Sequence, residues 1–541
     1  MKVLLLQPPV EDFYNTDIRL QPIGLAYLKA AVQKYLPGVQ VTIKDYHCGW
    51  GRRTIPLPRE LSYLKDYYSK DDKSPFSTFH HYYHFGADFE MIAREIAQEK
   101  PDLVGIASLF APYHREALRC AETIKKHFPV PILLGGAQVS SMPEAMLAHP
   151  AVDFVIRGEG ERPFVEFLKA LKNGKGLRHV PNLGYKARGK SILNPRKENF
   201  PIETLPFPDL SDLPQDHYLF EKKPLCFIIT SRGCPYRCAF CSVHKTFGHK
   251  CRRRSAQNIL SEIQQRYDEG YRVFDFEDDN LTFDRKEMTE LCEQLIRVFP
   301  QKDIQLLAMN GVCYWTLDSG ILKLMRRAGF THLNLSLVST NTALLKKVHR
   351  PNPLKKYREV VKEAVALGFK VVAYQILGLP GDTLSSMIKT LLFNAKLPVL
   401  LGASPFYLIP HSPIARHSSN PSEADIFKAR LTAMAIETRG FKREDLYTLL
   451  ITTRILNFLK GLPLRAAKNP LSRACTAASK LDPRSAAGVA ILQKLLKEKI
   501  FYAYTSRGFE PLPRFRTELF FQLWRKIDII QTLENKSIAI K

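Results

Sequence analysis

The segment Ser231-Arg232-Gly233-Cys234-Pro235-Tyr236-Arg237-Cys238-Ala239-Phe240-Cys241 decides how the rest of the chain is read, because it sets three thiols within eight positions in the spacing CxxxCxxC. Three thiolates on one tight loop can each hold one iron of a four-iron cluster and leave the fourth iron without a protein ligand, an open position as in catalytic metal centres. A structural zinc site takes four ligands, and His244, His249 and Cys251 are the residues that would complete one. Ten cysteines in 541 residues are too sparse for a disulfide framework, which points to a reducing, cytoplasmic setting.

Outward from this loop, strand and helix patterns alternate. Strands are expected over 225–230, 272–276, 305–308, 333–337, 370–376 and near 403–408, with helices over 258–267, 287–298, 319–328, 355–366 and 384–394. Six strand–helix units predict a partial (β/α)6 barrel of the TIM type over residues 220–420. Toward the amino terminus lies a linker over 166–219, with Pro201, Pro206, Pro208 and Pro214. Residues 1–165 then read as a doubly wound α/β domain of Rossmann-like type. Its strands are expected over 3–6, 40–43, 103–106, 132–134 and 154–156, and its helices over 23–35, 89–98 and 116–127. A polar, aromatic-rich insertion over 50–86 interrupts that domain and is expected to lie over one edge.

A hydrophobic share of 45% and a charged share of 24% exclude a disordered chain. The excess of 79 Lys and Arg over 53 Asp and Glu, a net +26, calls for an acidic neighbour. The start, Met1 to Leu6, turns at once into Gln7-Pro8-Pro9 and is too short for an export signal. Residues 421–541 form a small, mainly helical, basic domain with 22 Lys and Arg against 11 acids; Arg454, Arg465, Lys468, Arg473 and Lys480 fall in an acid-free stretch.

The cysteine loop, with Phe240 directly before the third thiol, resembles that of the radical S-adenosylmethionine (radical SAM) superfamily. The resemblance implies a [4Fe-4S] cluster on Cys234, Cys238 and Cys241. Its open iron chelates SAM and donates the electron that cleaves it to a 5′-deoxyadenosyl radical, and an external flavodoxin- or ferredoxin-like donor supplies that electron. It further implies Phe240 beside the adenine and an acid of Glu277-Asp278-Asp279, here assigned to Asp278, on the cofactor amine. Arg350 is expected on the cofactor carboxylate, Ser336 (or Ser339) near the ribose, and Gly378 in a turn that lets backbone approach the adenine. Val338 stands where many relatives carry Glu, and Asp382 where Glu is usual.

The amino-terminal domain resembles the cobalamin-binding domain that precedes the barrel in one branch of this superfamily. Ser108-Leu109, Gly135-Gly136 and Gly158-Glu159 each follow a strand, where open sheets bind ligands, and they are the implied corrin contacts. A phosphate- or nucleotide-binding domain without corrin is the alternative. The DxHxxG loop of methionine-synthase-like domains is absent, since Gln7 to Asp12 occupies its place and Asp45-Tyr46-His47 follows a different strand. The corrin's lower face is then expected to lack a histidine ligand, or a group of the insertion such as His80, His81 or His84 covers it; these otherwise read as loop packing.

The expected function is a cobalamin-dependent radical SAM methyltransferase acting on an unactivated carbon of a small organic or lipid substrate. Its rivals are ring closure, oxidation or rearrangement with the same cofactors, as in related porphyrin ring-forming enzymes, and a nucleic-acid binding or modifying protein. No RNA-binding module is recognisable after Pro421, which disfavours nucleic acid. The basic carboxy-terminal domain suggests substrate capping or peripheral contact with the inner membrane surface, and a lipid substrate as in related hopanoid-modifying enzymes; a solvated helical domain packed on the barrel is the equal alternative. Tyr407 and His411 border the expected substrate space.

Overall fold

A computed structural model describes residues 1–14, 21–77, 81–301, 303–310, 312–351, 353–417, 421–430, 432–462 and 482–527. In the amino-terminal domain the strands Gln40–Asp45, Lys2–Gln7, Leu103–Ala107, Ile132–Gly135 and Phe154–Ile156 lie side by side in that order, all parallel. The alternation in Val3-Leu4-Leu5-Leu6 explains the layering. Val3 and Leu5 pack with Leu25, Phe164 and Leu168 on one face, while Leu4 and Leu6 pack with Ile92, Ile96, Ala121 and Ile124 on the other. A sheet covered on both faces needs apolar residues at every strand position, as this one has. The winding reverses between Lys2–Gln7 and Leu103–Ala107, so the loops at their carboxyl ends part and leave a crevice.

The boundary expected at residue 165 is too early. It falls inside the helix Glu161–Lys172, and the hairpin Leu183–Ala187 and Lys190–Leu193 extends the same sheet by two antiparallel strands. The segment read as linker is therefore largely sheet edge up to Leu193. The insertion does more than cover an edge. Its strands Arg52–Ile55 and Tyr82–Phe85 join Val10–Asp12 in a small antiparallel sheet, and the rest binds the carboxy-terminal domain. Tyr63 donates to the Ala433 carbonyl at 2.5 Å, Tyr68 donates to that of Thr432 at 3.0 Å, and the rings of Tyr67 and Tyr68 meet Tyr447 edge-on.

Six parallel strands form the barrel in two sets of three: Lys223–Ile228, Val273–Phe276 and Gln305–Leu307, then His332–Val338, Lys370–Leu377 and Leu400–Pro405. Isolated parallel bridges, Leu306 to Phe330 and Val312 to Leu335, join the sets. An open barrel leaves an edge strand with unpaired backbone groups, which must be covered. The helix Arg443–Gly461 does so. Asn457 accepts from the Leu401 amide at 2.9 Å and donates to the Leu401 carbonyl at 2.8 Å, as a seventh strand would, and Lys460 Nζ donates to the carbonyls of Leu397 and Val399. The helix is buried on nearly every side. It therefore offers no free basic face, against the expectation of a membrane-surface helix, while Arg465, Lys468, Arg473 and Lys480 lie outside the described residues. Among the described residues no helix is long and apolar enough to cross a membrane.

Burial pushes the Lys460 amine from an ordinary value of 10.5 down to about 7. The unfolded chain thus holds a proton that the folded chain has released above pH 7, so stability on this account rises with pH between those values. Compared with Lys460→Met, the wild type should gain on the order of 1 kcal/mol per pH unit from pH 7 toward pH 10. Chemical denaturation of both proteins across that range reads the gap, and a constant gap would contradict the burial of a titrating amine.

Candidate functional site

The cysteine loop is fixed from several directions. The strand Ser231–Arg232 pairs antiparallel with Arg252–Arg253. Asp278, 1% exposed, accepts from Thr230 Oγ1 at 2.7 Å and from Ser231 Oγ, and Asp279 accepts from the Gly233 amide at 2.8 Å. Gly233 has φ +84°, and a Cβ there would lie 2.3 Å from the Lys250 carbonyl oxygen, so the turn into Cys234 requires glycine. Further along, the Ala239 amide donates to the Val348 carbonyl at 3.0 Å and the Ala239 carbonyl accepts from the Ile414 amide at 2.9 Å.

Cys238 is buried and Cys234 and Cys241 are half-buried. Burial, together with the neighbouring thiols, pushes Cys241 up to about 11 and raises Cys234. Two donors are aimed at sulfur: Arg350 Nη1 lies 3.8 Å from Cys238 Sγ and Asn280 Nδ2 lies 3.8 Å from Cys234 Sγ. Among the described residues no three His, Cys, Asp or Glu side chains converge to hold a single ion. His244 and His249 stack on each other at 5.0 Å. The donor set fits a multi-iron cluster carried by three thiolates and steadied by hydrogen bonds to sulfur.

Arg350 also donates through Nη2 to the Ser336 carbonyl at 2.8 Å, and its Nε is buried without a partner. Cys238, Arg350 and Ser336 thus converge at one end of the barrel. Phe240 packs with Val338, Leu379 and Phe406. Val338 sits at a β-bulge with φ +69°, unusual for a β-branched residue, and its side chain is part of this apolar floor under the loop.

Two expectations change here. Both oxygens of Asp278 are taken up by the loop's anchors, which conflicts with a place on the cofactor amine. Glu277, directly after the strand Val273–Phe276, accepts from Asn310 Nδ2 at 2.6 Å; desolvation, then Asp275 and Asp278, pushes it up to about 8. At Gly378, φ +83°, the space a Cβ would take is occupied by Phe441 and Leu446 at 3.1 and 3.2 Å. Any side chain at that position would run into the carboxy-terminal domain.

In the amino-terminal domain, Ser108, Gly135, Gly136 and Gly158 form a continuous rim at the carboxyl ends of the strands. The Ser108 amide donates to the Gly135 carbonyl at 2.7 Å, and the Gly158 amide donates to Ser140 Oγ at 2.7 Å. Gly136 has φ +116°, and a Cβ there would lie 2.5 Å from the Ser108 carbonyl oxygen. Ser108 Oγ is buried without a hydrogen-bond partner, and Leu109 and Phe110 are exposed beside it. A narrow glycine rim with an unsatisfied hydroxyl fits a nucleotide-tailed cofactor.

Glu159 is tied to the cysteine loop through one carboxylate oxygen, while the other is buried without a partner. Its Oε1 binds Arg232 Nη1 at 3.1 Å and Arg252 Nη1 at 2.9 Å, and Glu161, not singled out by the sequence, binds Arg232 Nη2 at 2.5 Å. His84 has both ring nitrogens engaged, with Glu11 and the Ala87 carbonyl, which conflicts with a role as a corrin cover. His81 meets the Tyr83 ring edge-on, and His80 lies outside the described residues. Tyr407 is 39% exposed next to buried Phe406.

Replacing Cys238 by Ala should leave the melting temperature of the apo chain nearly unchanged. After anaerobic reconstitution it should abolish the uptake of about four irons per chain seen in the wild type. Iron retained in the variant would contradict the three-thiol assignment.

Comparison with known proteins agrees with this geometry. The radical SAM superfamily model matches residues 228–393 and the B12 binding domain model matches residues 77–168. An uncharacterized methyltransferase of Pyrococcus horikoshii is 29% identical over 407 residues, covering 74% of this chain and 79% of the relative. Cytidylyl-2-hydroxyethylphosphonate methyltransferase of Streptomyces wedmorensis is 27% identical over 417 residues, covering 70% and 73%. The structure of OxsB, a cobalamin-dependent S-adenosylmethionine radical enzyme with aqua-cobalamin bound, superposes with a TM-score of 0.60 at 15% identity, covering 92% of this chain and 71% of that one. The chain thus carries a B12-binding domain joined to a radical SAM domain, the architecture of the cobalamin-dependent radical SAM enzymes, whose cofactors are a [4Fe-4S] cluster, SAM and cobalamin.

Proposed function

We propose that this protein is a cobalamin-dependent radical SAM methyltransferase that methylates an unactivated carbon of an organic substrate. The observation that carries the reading is the direct contact between its two sites. Gly158 of the glycine rim faces the Thr246 carbonyl, just beyond Cys241. Arg196, of the segment after the sheet's edge hairpin, donates to the carbonyls of His244 and Thr246 at 3.3 and 3.4 Å. When bound, the cluster and corrin supply a SAM-derived radical and a carried methyl group. The chain's own contribution is geometric: Cys234, Cys238 and Cys241 fix one group, Ser108 and Gly136 border the other, and the shared interface keeps both sites adjacent. Two curated relatives bearing methyltransferase names support this reading.

A one-electron donor of flavodoxin or ferredoxin type has a suitable approach. Residues 222–261 and 319–358, which meet at the Ala239–Val348 bond, contain no acid. Arg237, Lys346, Lys347 and His349 are exposed beside that bond, a surface matched to an acidic carrier.

Anaerobic reconstitution with iron, sulfide and cobalamin, followed by SAM, reductant and a fractionated cell extract, tests the reaction. S-adenosylhomocysteine and 5′-deoxyadenosine should form in about equal amounts, since methyl loading and radical generation each use one SAM. Deoxyadenosine without S-adenosylhomocysteine would replace methyl transfer by cyclisation, oxidation or rearrangement.

A further inference from the structure

We infer that Glu159, Glu161, Arg232 and Arg252 form a clasp whose role is to position the cluster loop against the ligand rim of the amino-terminal domain, an inference that rests on the two-site reading above. Arg232 lies two residues before Cys234, and Glu159 directly follows Gly158 of the rim. One ion pair therefore connects rim and first thiol through a very short covalent path on each side. Arg232, Glu159 and Glu161 are 5%, 4% and 7% exposed. The guanidinium divides its two ends between the carboxylates, at 3.1 Å to Glu159 and 2.5 Å to Glu161, and is flanked by the rings of Tyr27 and Phe247 at 5.3 and 5.6 Å. Arg252, from the strand paired with Ser231–Arg232, adds a second bond to Glu159 at 2.9 Å.

Apolar packing of equal volume would stabilise such an interface at least as well, because desolvating the charges offsets much of their attraction. What the ion pairs add is direction. A planar guanidinium holding two carboxylates fixes the orientation of the strand that carries it, which a greasy contact or an ammonium does not. Although burial works against its charge, Arg232 holds the Glu161 carboxyl below its ordinary range. These four side chains are positioning residues: Glu161 and one oxygen of Glu159 bind the guanidiniums at the seam between the sites, the second oxygen of Glu159 is buried without a partner, and Arg252 also donates to the Phe200 carbonyl.

The test uses Glu161→Gln, Glu159→Gln and Arg232→Lys in the full chain. In the apo proteins, hydrogen exchange over residues 231–253 should quicken about tenfold, with exchange in Leu103–Ala107 and Val273–Phe276 unchanged. After reconstitution, iron and cobalamin contents and SAM cleavage to deoxyadenosine should match the wild type. Electron transfer from reduced cluster to bound cob(II)alamin should slow on the order of tenfold, as expected for two centres slightly misplaced. Arg232→Lys, which keeps the charge and loses the fork, should behave like the Gln variants. Wild-type exchange and transfer rates in all three would overturn the inference. So would full rescue by Lys, or a Glu159→Gln chain that loses cobalamin with unchanged exchange, which would make Glu159 a cofactor contact. Failure of the wild type itself to load cluster or cobalamin would instead remove the two-site reading and the inference with it.

Discussion

The architecture depends on a buried guanidinium. Arg232 belongs to the barrel's cysteine loop, yet its partners Glu159 and Glu161 belong to the preceding domain. Removing one partner of such a pair leaves an uncompensated buried charge at a cost of about 3–5 kcal/mol, so the two domains are not free to drift apart or rotate at this seam. A second buried arginine closes the opposite side. Arg430, from the segment after the barrel, is fully enclosed in the amino-terminal domain, where it donates to the Glu11 carbonyl at 2.8 Å and to that of Pro112 at 3.2 Å and lies 3.4 Å from both Asp12 and Glu116. Burial nonetheless pushes Glu116 up to about 7. Buried arginine ion pairs thereby join the segments around the two sites at two places.

This use of arginine bears on the net charge of +26, which on composition alone left nucleic acid, an anionic membrane surface and an anionic small ligand equally open. Several of the cations lie inside: Arg232, Arg254 and Arg430 in ion pairs, Lys460 against backbone carbonyls at the barrel's open edge. Part of the remainder borders the cysteine loop, where the two acid-free runs meet. The charge therefore serves the seam, the edge and the approach to the cluster loop, and the longest described helix of the basic domain is a buried support for the barrel.

Local pattern carried far in reading the fold. The helices Ile23–Tyr35 and Ser319–Ala328 begin and end where apolar periodicity places them, and the cysteine spacing marked the loop beside which Arg350 and Asn280 gather. What the pattern hid was partnership. The hairpin over residues 183–193 is short and polar on one side, and becomes sheet through pairing with Phe154–Ile156. A glycine such as Gly378 announces a left-handed turn but not the neighbour, Phe441, that needs the space. Asp278 and Glu159 read as ligand groups because they follow strands; their true partners, Ser231 and Arg232, are distant in sequence for both. The signal for Glu161 was present in the repeated acid of Gly158-Glu159-Gly160-Glu161, which asks for two cations.

Pulsed electron paramagnetic resonance on the reconstituted wild type, with the cluster reduced and cobalamin as cob(II)alamin, measures the separation of the two centres in solution. The account predicts strong, narrowly distributed dipolar coupling, since both sites are borne on one buried interface. Two magnetically isolated spins, or a broad distribution of couplings, would contradict it.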